Sequence, residues 1–127
     1  DDVNISKDKS NASDESVNLD NLKIINDNLP KENLVELIPV FIESANRLIK
    51  EIRGSNDSQD VEQFFISSHA LKGISGNLGA DKFYQYMVYI NNFARQRIFP
   101  DESGWVDKLD IIYEETQNEL NNIVENS

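Results

Sequence analysis

The chain has 127 residues, enough for one domain with one modest core. Its 23 acidic and 12 basic residues give a net charge of −11, a surface that repels phosphate backbones and argues against nucleic acid as a partner. The absence of cysteine excludes disulfides and thiolate metal sites, and the sequence has neither a membrane-span-length apolar run nor a secretory signal pattern.

The first stretch, DDVNISKDKSNASDESVN, is polar and almost without apolar residues. It cannot bury enough surface to offset the entropy of ordering it. Residues 1–16 are therefore expected to be a disordered tail or interdomain linker, and residues 17–127 the folded domain. A short helix is expected from near Leu19, with Asp20 in its first turn, to near Asn28 before Pro30.

The second helix starts at Pro30 and is expected to stop at Gly54. Leu34, Leu37, Ile38, Phe41, Ala45, Leu48 and Ile52 recur along it at helical spacing, and Pro39 is expected to kink it. NDSQ reads as a turn whose Asp and Ser can cap. A third helix follows from about Gln59 to Leu78, with Gly79 as its stop. A fourth covers ADKFYQYMVYINNFARQRIF, with Phe83, Met87, Ile90 and Ala94 on one line, and PDESG breaks it. A fifth covers WVDKLDIIYEETQNELNNIVEN, with Val106, Leu109, Ile112, Tyr113, Thr116, Leu120 and Ile123 as its stripe. Four long amphipathic helices with short connections imply an all-α antiparallel four-helix bundle, with the short additional N-terminal helix capping one end.

The third helix carries the only histidine. Successive side chains turn about 100° around a helix axis. With Leu71 at zero, Phe64, Ser75 and Leu78 fall within roughly 40° and Ser67, Ser68 and Ile74 within roughly 60°, which defines the core face. Small serines there let a neighbouring helix approach. His69 falls at roughly 160°, with Phe65, Lys72, Gly73 and Gly76 around it and Ile66 just beyond. A solvated face would carry Glu, Lys and Gln; this composition suits a docking face.

Gly73, one turn after His69, leaves the imidazole open to something bulky, and Gly76 extends the cleared strip. Lys72 is within reach of an anion on the ring. A neutral imidazole is a good nucleophile near pH 7, and phosphoryl transfer asks a protein mainly for positioning and charge neutralisation. A metal site is disfavoured, because there is no second His or Cys and no acidic residue three or four positions from His69. A Ser–His–Asp triad is disfavoured because Ser75 falls on the core face.

The run His69-Ala70-Leu71-Lys72-Gly73-Ile74-Ser75-Gly76-Asn77-Leu78-Gly79-Ala80 resembles the signature of histidine-containing phosphotransfer (HPt) domains, H-x-x-K-G-x-S followed by a Gly at the next turn. His69, Lys72, Gly73, Ser75 and Gly79 match it, and the resemblance spans about Val17 to Val124. It implies that His69 is phosphorylated through Nε2, that Lys72 neutralises the phosphoryl group, that Gly73 gives the partner access, and that Ser75 stabilises helix packing. Several members of that family place a Gln on the following helix to bond the histidine ring. The matching position here is the shorter Asn91, expected at the edge of the fourth helix.

The resemblance further implies response-regulator receiver domains as partners and Mg²⁺ in the partner. No cofactor is expected in this chain, where no Walker-type loop or Gly-rich ATP lid occurs. The expected docking surface is Phe65, Ile66, His69, Lys72, Gly73 and Gly76, with Tyr84, Val88 and Asn91 beside it. The missing Met and the polar leader favour a C-terminal module of a hybrid sensor kinase over a free-standing relay protein. Either way a cytoplasmic location and a monomeric isolated domain are expected. The alternative from another class is a non-catalytic helical interaction bundle in which His69 is incidental.

Overall fold

A computed structural model describes residues 19–26 and 30–126, without the side chain of Asp20. The expected tail at residues 1–16 lies outside the described residues. The described residues form four α-helices: α1, Lys31–Ser58; α2, Val61–Leu78; α3, Asp81–Arg95; and α4, Trp105–Glu125. Residues 59–60 and 79–80 join α1 to α2 and α2 to α3, so these neighbours run antiparallel. Residues 96–104 carry the chain across to α4. The described residues contain no strand.

α1 begins after Pro30, whose φ of −58° and ψ of 140° put it outside the helix, and it does not stop at Gly54. It continues one turn further because Ile52 and Ser55 carry on the buried stripe, with the Ser55 hydroxyl donating to the Ile52 carbonyl at 2.7 Å. Packing outweighs the cost of about 1 kcal/mol that glycine imposes in a helix interior. The stop is Gln59, in the left-handed region at φ 60°. Asp60 then caps α2, its carboxylate accepting from the Gln63 amide at 3.1 Å. α1 also runs continuously through Pro39, which is exposed.

Leu37 departs from the expected core stripe, being 44% exposed, while Ile49 is buried. The inner line is Leu34–Ile38–Phe41–Ala45–Leu48–Ile52, and Leu37 stands one 100° step off Ile38. On α2 Phe64, Ser67, Ser68, Leu71, Ser75 and Leu78 of the expected inner face are buried, and Ile74 is half-buried against the core. α2 ends at Gly79, whose φ of 80° is the left-handed conformation glycine adopts without strain.

The expected N-terminal helix is reduced to a 3₁₀ turn over Leu19–Asn21. Residues 22–26 follow as irregular chain, and 27–29 lie outside the described residues. The Leu22 amide closes the 3₁₀ turn on the Leu19 carbonyl at 3.1 Å, and two further backbone bonds reach the bundle. The Asn26 amide donates to the Gly79 carbonyl at 2.8 Å, and the Lys82 amide donates to the Lys23 carbonyl at 3.0 Å. The Asn26 side chain donates to Asp81 Oδ1 at 3.0 Å. This segment is a strap across the α2–α3 corner, with Leu19 and Ile25 against the core.

α3 is shorter than expected, ending at Arg95 and not near Phe99. Arg97 takes a left-handed φ of 61° and turns the chain, so that Phe99 stacks on Phe64 with centroids 4.8 Å apart. The Tyr86 hydroxyl donates to the Trp105 carbonyl at 2.7 Å, fixing the start of α4 against α3. Burial pushes the Tyr86 phenol well above its ordinary value and the Tyr113 phenol up to about 12. α4 packs along α1 and α3, where Phe41, Phe83 and Tyr113 meet as an aromatic cluster. Ion pairs Arg53–Asp110 and Lys82–Glu115 link it to α1 and α3 at the surface.

Candidate functional site

His69 lies on the outer face of α2 and is exposed. One turn earlier, Phe65 is half-buried, and its ring stacks on the imidazole with centroids 5.9 Å apart and 26° between planes. This is the i, i+4 relation of a helix surface. One turn later comes Gly73, where an added Cβ would meet nothing among the described residues within 4 Å. The space beside the imidazole is open on that side.

An open cleft of about 290 Å³ lies against the ring, lined by Phe65, His69, Lys72, Asn91, Arg95 and Arg97. Three of the twelve cationic residues thus converge on one imidazole in a protein of net charge −11. Such a cleft favours an anionic guest. The guanidinium of Arg97 sits over the Phe65 ring at 4.2 Å from its centroid, and its Nε pairs with Glu62 Oε2 at 2.5 Å.

The wheel reading grouped Phe65, His69 and Lys72, and the structure brings all three to the cleft. Ile66, Gly73, Gly76, Tyr84 and Val88 lie outside its lining. Ile66 is 59% exposed, and Tyr84 and Val88 are half-buried. Gly76 differs from the expectation of a cleared strip. A Cβ placed there would stand 3.1 Å from two atoms of the Tyr84 ring, so part of its space is taken by α3.

Asn91 also differs. It is fully buried, not at the edge of α3, and its Nδ2 donates to Ser68 Oγ at 2.9 Å, not to the imidazole. The small Ser68 lets α3 approach closely enough to bury the amide. Asn91 Oδ1 has no hydrogen-bond partner among the described residues. Ser68 Oγ in turn donates to the Phe65 carbonyl at 3.3 Å, so Asn91 is tied to the helix turn that precedes His69. Ser75 Oγ donates to the carbonyls of Leu71 at 2.8 Å and Lys72 at 3.0 Å, staying within α2.

Sequence reasoning missed Arg95 and Arg97. Arg95 follows Asn91 by four residues on α3, so helical spacing could have found it. Arg97 could not have been found that way, because it follows the end of the helix. Among the described residues, no group of three His, Cys, Asp or Glu side chains is placed to hold a metal ion.

The family model of the Hpt domain matches residues 36–125, well over half of the chain. The chain belongs to the Hpt domain family. The match begins inside α1 and ends at the last residue of α4, so it takes in His69 and every residue of the cleft. Comparisons with curated proteins and with solved structures gave no match. Hpt domains act in the phosphorelays of two-component signalling, where they meet response-regulator receiver domains. Among the described residues of this Hpt domain, no helix is long and apolar enough to cross a membrane.

Proposed function

We propose that His69 is the relay residue, taking a phosphoryl group from the aspartyl phosphate of one receiver domain and passing it to an aspartate of another. In the first transfer Nε2 supplies its lone pair to phosphorus. The N–P bond forms as the acyl P–O bond breaks, and the aspartate carboxylate leaves with the bonding electrons. The second transfer reverses these roles. Mg²⁺ for both steps would be held by the receiver.

One observation carries this reading: the single imidazole is exposed at a cleft lined by Lys72, Arg95 and Arg97, with open space at Gly73. Lys72 lines the same cleft as His69, so its ammonium can meet the developing charge on the phosphoryl oxygens. Gly73 leaves room for the loop that carries the donor aspartate. Phe65 and Ile66 supply apolar surface that keeps water from the reacting bond. The receiver docks over this face, with the α3 residues Tyr84 and Val88 at its side. Asn91 acts on His69 only indirectly, through Ser68 and the turn of α2 that bears Phe65.

The test is incubation with a receiver domain charged by acetyl phosphate. Phosphate should appear on the protein in acid-labile, base-stable form, and His69→Gln should abolish it while leaving helicity unchanged. Wild-type uptake by His69→Gln would remove His69 from the mechanism and favour a non-catalytic bundle.

A further inference from the structure

We propose, building on the phosphorelay reading, that Phe65 and Arg97 are positioning residues that together hold the His69 imidazole facing the cleft. An exposed histidine on a helix is ordinarily free to move between rotamers. Here the ring lies nearly parallel to Phe65, at 26° and 5.9 Å. A flat neighbour one turn away favours the ring orientation that stacks on it.

Phe65 is itself held. The Arg97 guanidinium sits 4.2 Å from its ring centroid, a cation–π distance. Arg97 is fixed from the other side. Its Nε pairs with Glu62 Oε2 at 2.5 Å, and its Nη1 donates to the carbonyls of Arg95 at 3.2 Å and Ala94 at 3.4 Å. The sequence of contacts is Glu62–Arg97–Phe65–His69. It joins the turn after α3 to the outer face of α2.

The backbone supplies a second observation. Arg97 has a φ of 61°, which a residue with a Cβ seldom adopts. It is the turn of a helix stop, closed here by the Arg97 amide on the Ala94 carbonyl and the Ile98 amide on the Phe93 carbonyl, and it fixes where the Arg97 side chain departs. A glycine would suit that turn without strain, but it would carry no guanidinium to the Phe65 ring. Arg97 makes both the turn and the stack.

A near-attack geometry is sensitive to small displacements of the nucleophile. Loss of the stack should therefore slow transfer without dismantling the bundle. The test exploits the fact that the chain has one histidine, so its ring-proton NMR signals are unambiguous. Ring-proton shifts, melting temperature and rate of phosphoryl uptake from a charged receiver are compared for wild type, Phe65→Leu, Arg97→Ala and Arg97→Lys.

Phe65→Leu and Arg97→Ala should move the ring protons towards free-histidine positions and slow uptake roughly tenfold. Arg97→Lys should recover part of both, because an ammonium retains the cation–π contact but not the planar stacking of the guanidinium. If Phe65→Leu melts far below wild type, Arg97→Ala decides, since Arg97 is exposed and outside the core. Unchanged ring protons or unchanged uptake in Arg97→Ala overturns the proposal. Failure of the wild-type protein to take up phosphate would count against the phosphorelay reading instead, and the ring protons would still decide whether the stack orients His69.

Discussion

Tyr84 lies across Gly76. A Cβ on Gly76 would stand 3.1 Å from Tyr84 Cδ1 and Cε1, whereas a Cβ on Gly73 would meet nothing within 4 Å. Two glycines three residues apart on one helix thus have different structural settings. Gly76 admits the neighbouring helix, and only Gly73 opens onto free space.

The two glycines should therefore respond differently to alanine. Gly73→Ala is expected to stabilise the domain by up to about 1 kcal/mol, the helix-propensity difference, with no contact to oppose it. Gly76→Ala should gain less, because the Tyr84 ring must give by a few tenths of an ångström. Urea denaturation midpoints of the two variants check this. A midpoint for Gly76→Ala at or above that of Gly73→Ala would mean the Tyr84 ring moves freely. A larger side chain at Gly73 should leave the fold intact and impair transfer from a charged receiver.

The legible parts of the molecule were those set by local periodicity. The 100° step put Phe64, Ser67, Ser68, Leu71, Ser75 and Leu78 inside and His69 outside, and they lie there. Gly79 was legible as a stop because its left-handed φ is a property of glycine itself. The misread parts depend on contacts distant in sequence. Lys23 and Asn26 exchange backbone bonds with Lys82 and Gly79, partners that no local window contains. Gly54 looked like a stop, but burial of Ile52 and Ser55 carries α1 past it. Asn91 looked like an edge residue until the small Ser68 opposite allowed its burial. Arg97 reaches the cleft only because the chain turns back after Arg95.

Asn91 should behave as a buried polar residue. Its amide donates to Ser68 Oγ inside the α2–α3 contact, and both residues are fully buried. Asn91→Ala should cost on the order of 1–3 kcal/mol, the range for breaking a buried hydrogen bond. An exposed substitution on the same helix would cost under about 0.5 kcal/mol. Denaturant unfolding distinguishes the two, and a cost in the exposed range would place the side chain at the surface.

The two buried tyrosines predict an alkaline limit to stability. Burial raises the folded-state values of Tyr86 and Tyr113 above the ordinary tyrosine value of about 10, to about 12 for Tyr113. Below pH 10 both phenols are protonated whether the chain is folded or not, so their contribution is fully present. Above it the unfolded chain loses protons that the folded chain keeps, and stability falls as pH rises through the folded-state values. Melting temperature should therefore be flat up to about pH 9.5 and drop steeply from pH 10 to 12. Tyr86→Phe should make that drop shallower, at the cost of about 1 kcal/mol near neutral pH for the lost bond to the Trp105 carbonyl. An equally steep drop in the variant would assign the alkaline transition to other groups.

Lys72 should matter to transfer and little to the fold. It is half-buried at the cleft, and no described carboxylate forms an ion pair with it. Its ammonium is therefore available to a phosphoryl group on His69. A charge-assisted contact of that kind is worth on the order of 1.5–3 kcal/mol, or roughly one to two decades in rate if it forms only in the transition state. Lys72→Ala should accordingly slow uptake from a charged receiver by that factor, with a melting temperature close to wild type. Lys72→Arg should retain much of the rate, because the positive charge survives even though its geometry changes. Arg95 and Arg97 share the cleft, so the loss in Lys72→Ala should be partial and should grow when Arg95 is also removed. Rapid-quench measurement of phosphoryl transfer at fixed ionic strength checks each step. Wild-type rates in Lys72→Ala would leave charge neutralisation to the arginines alone.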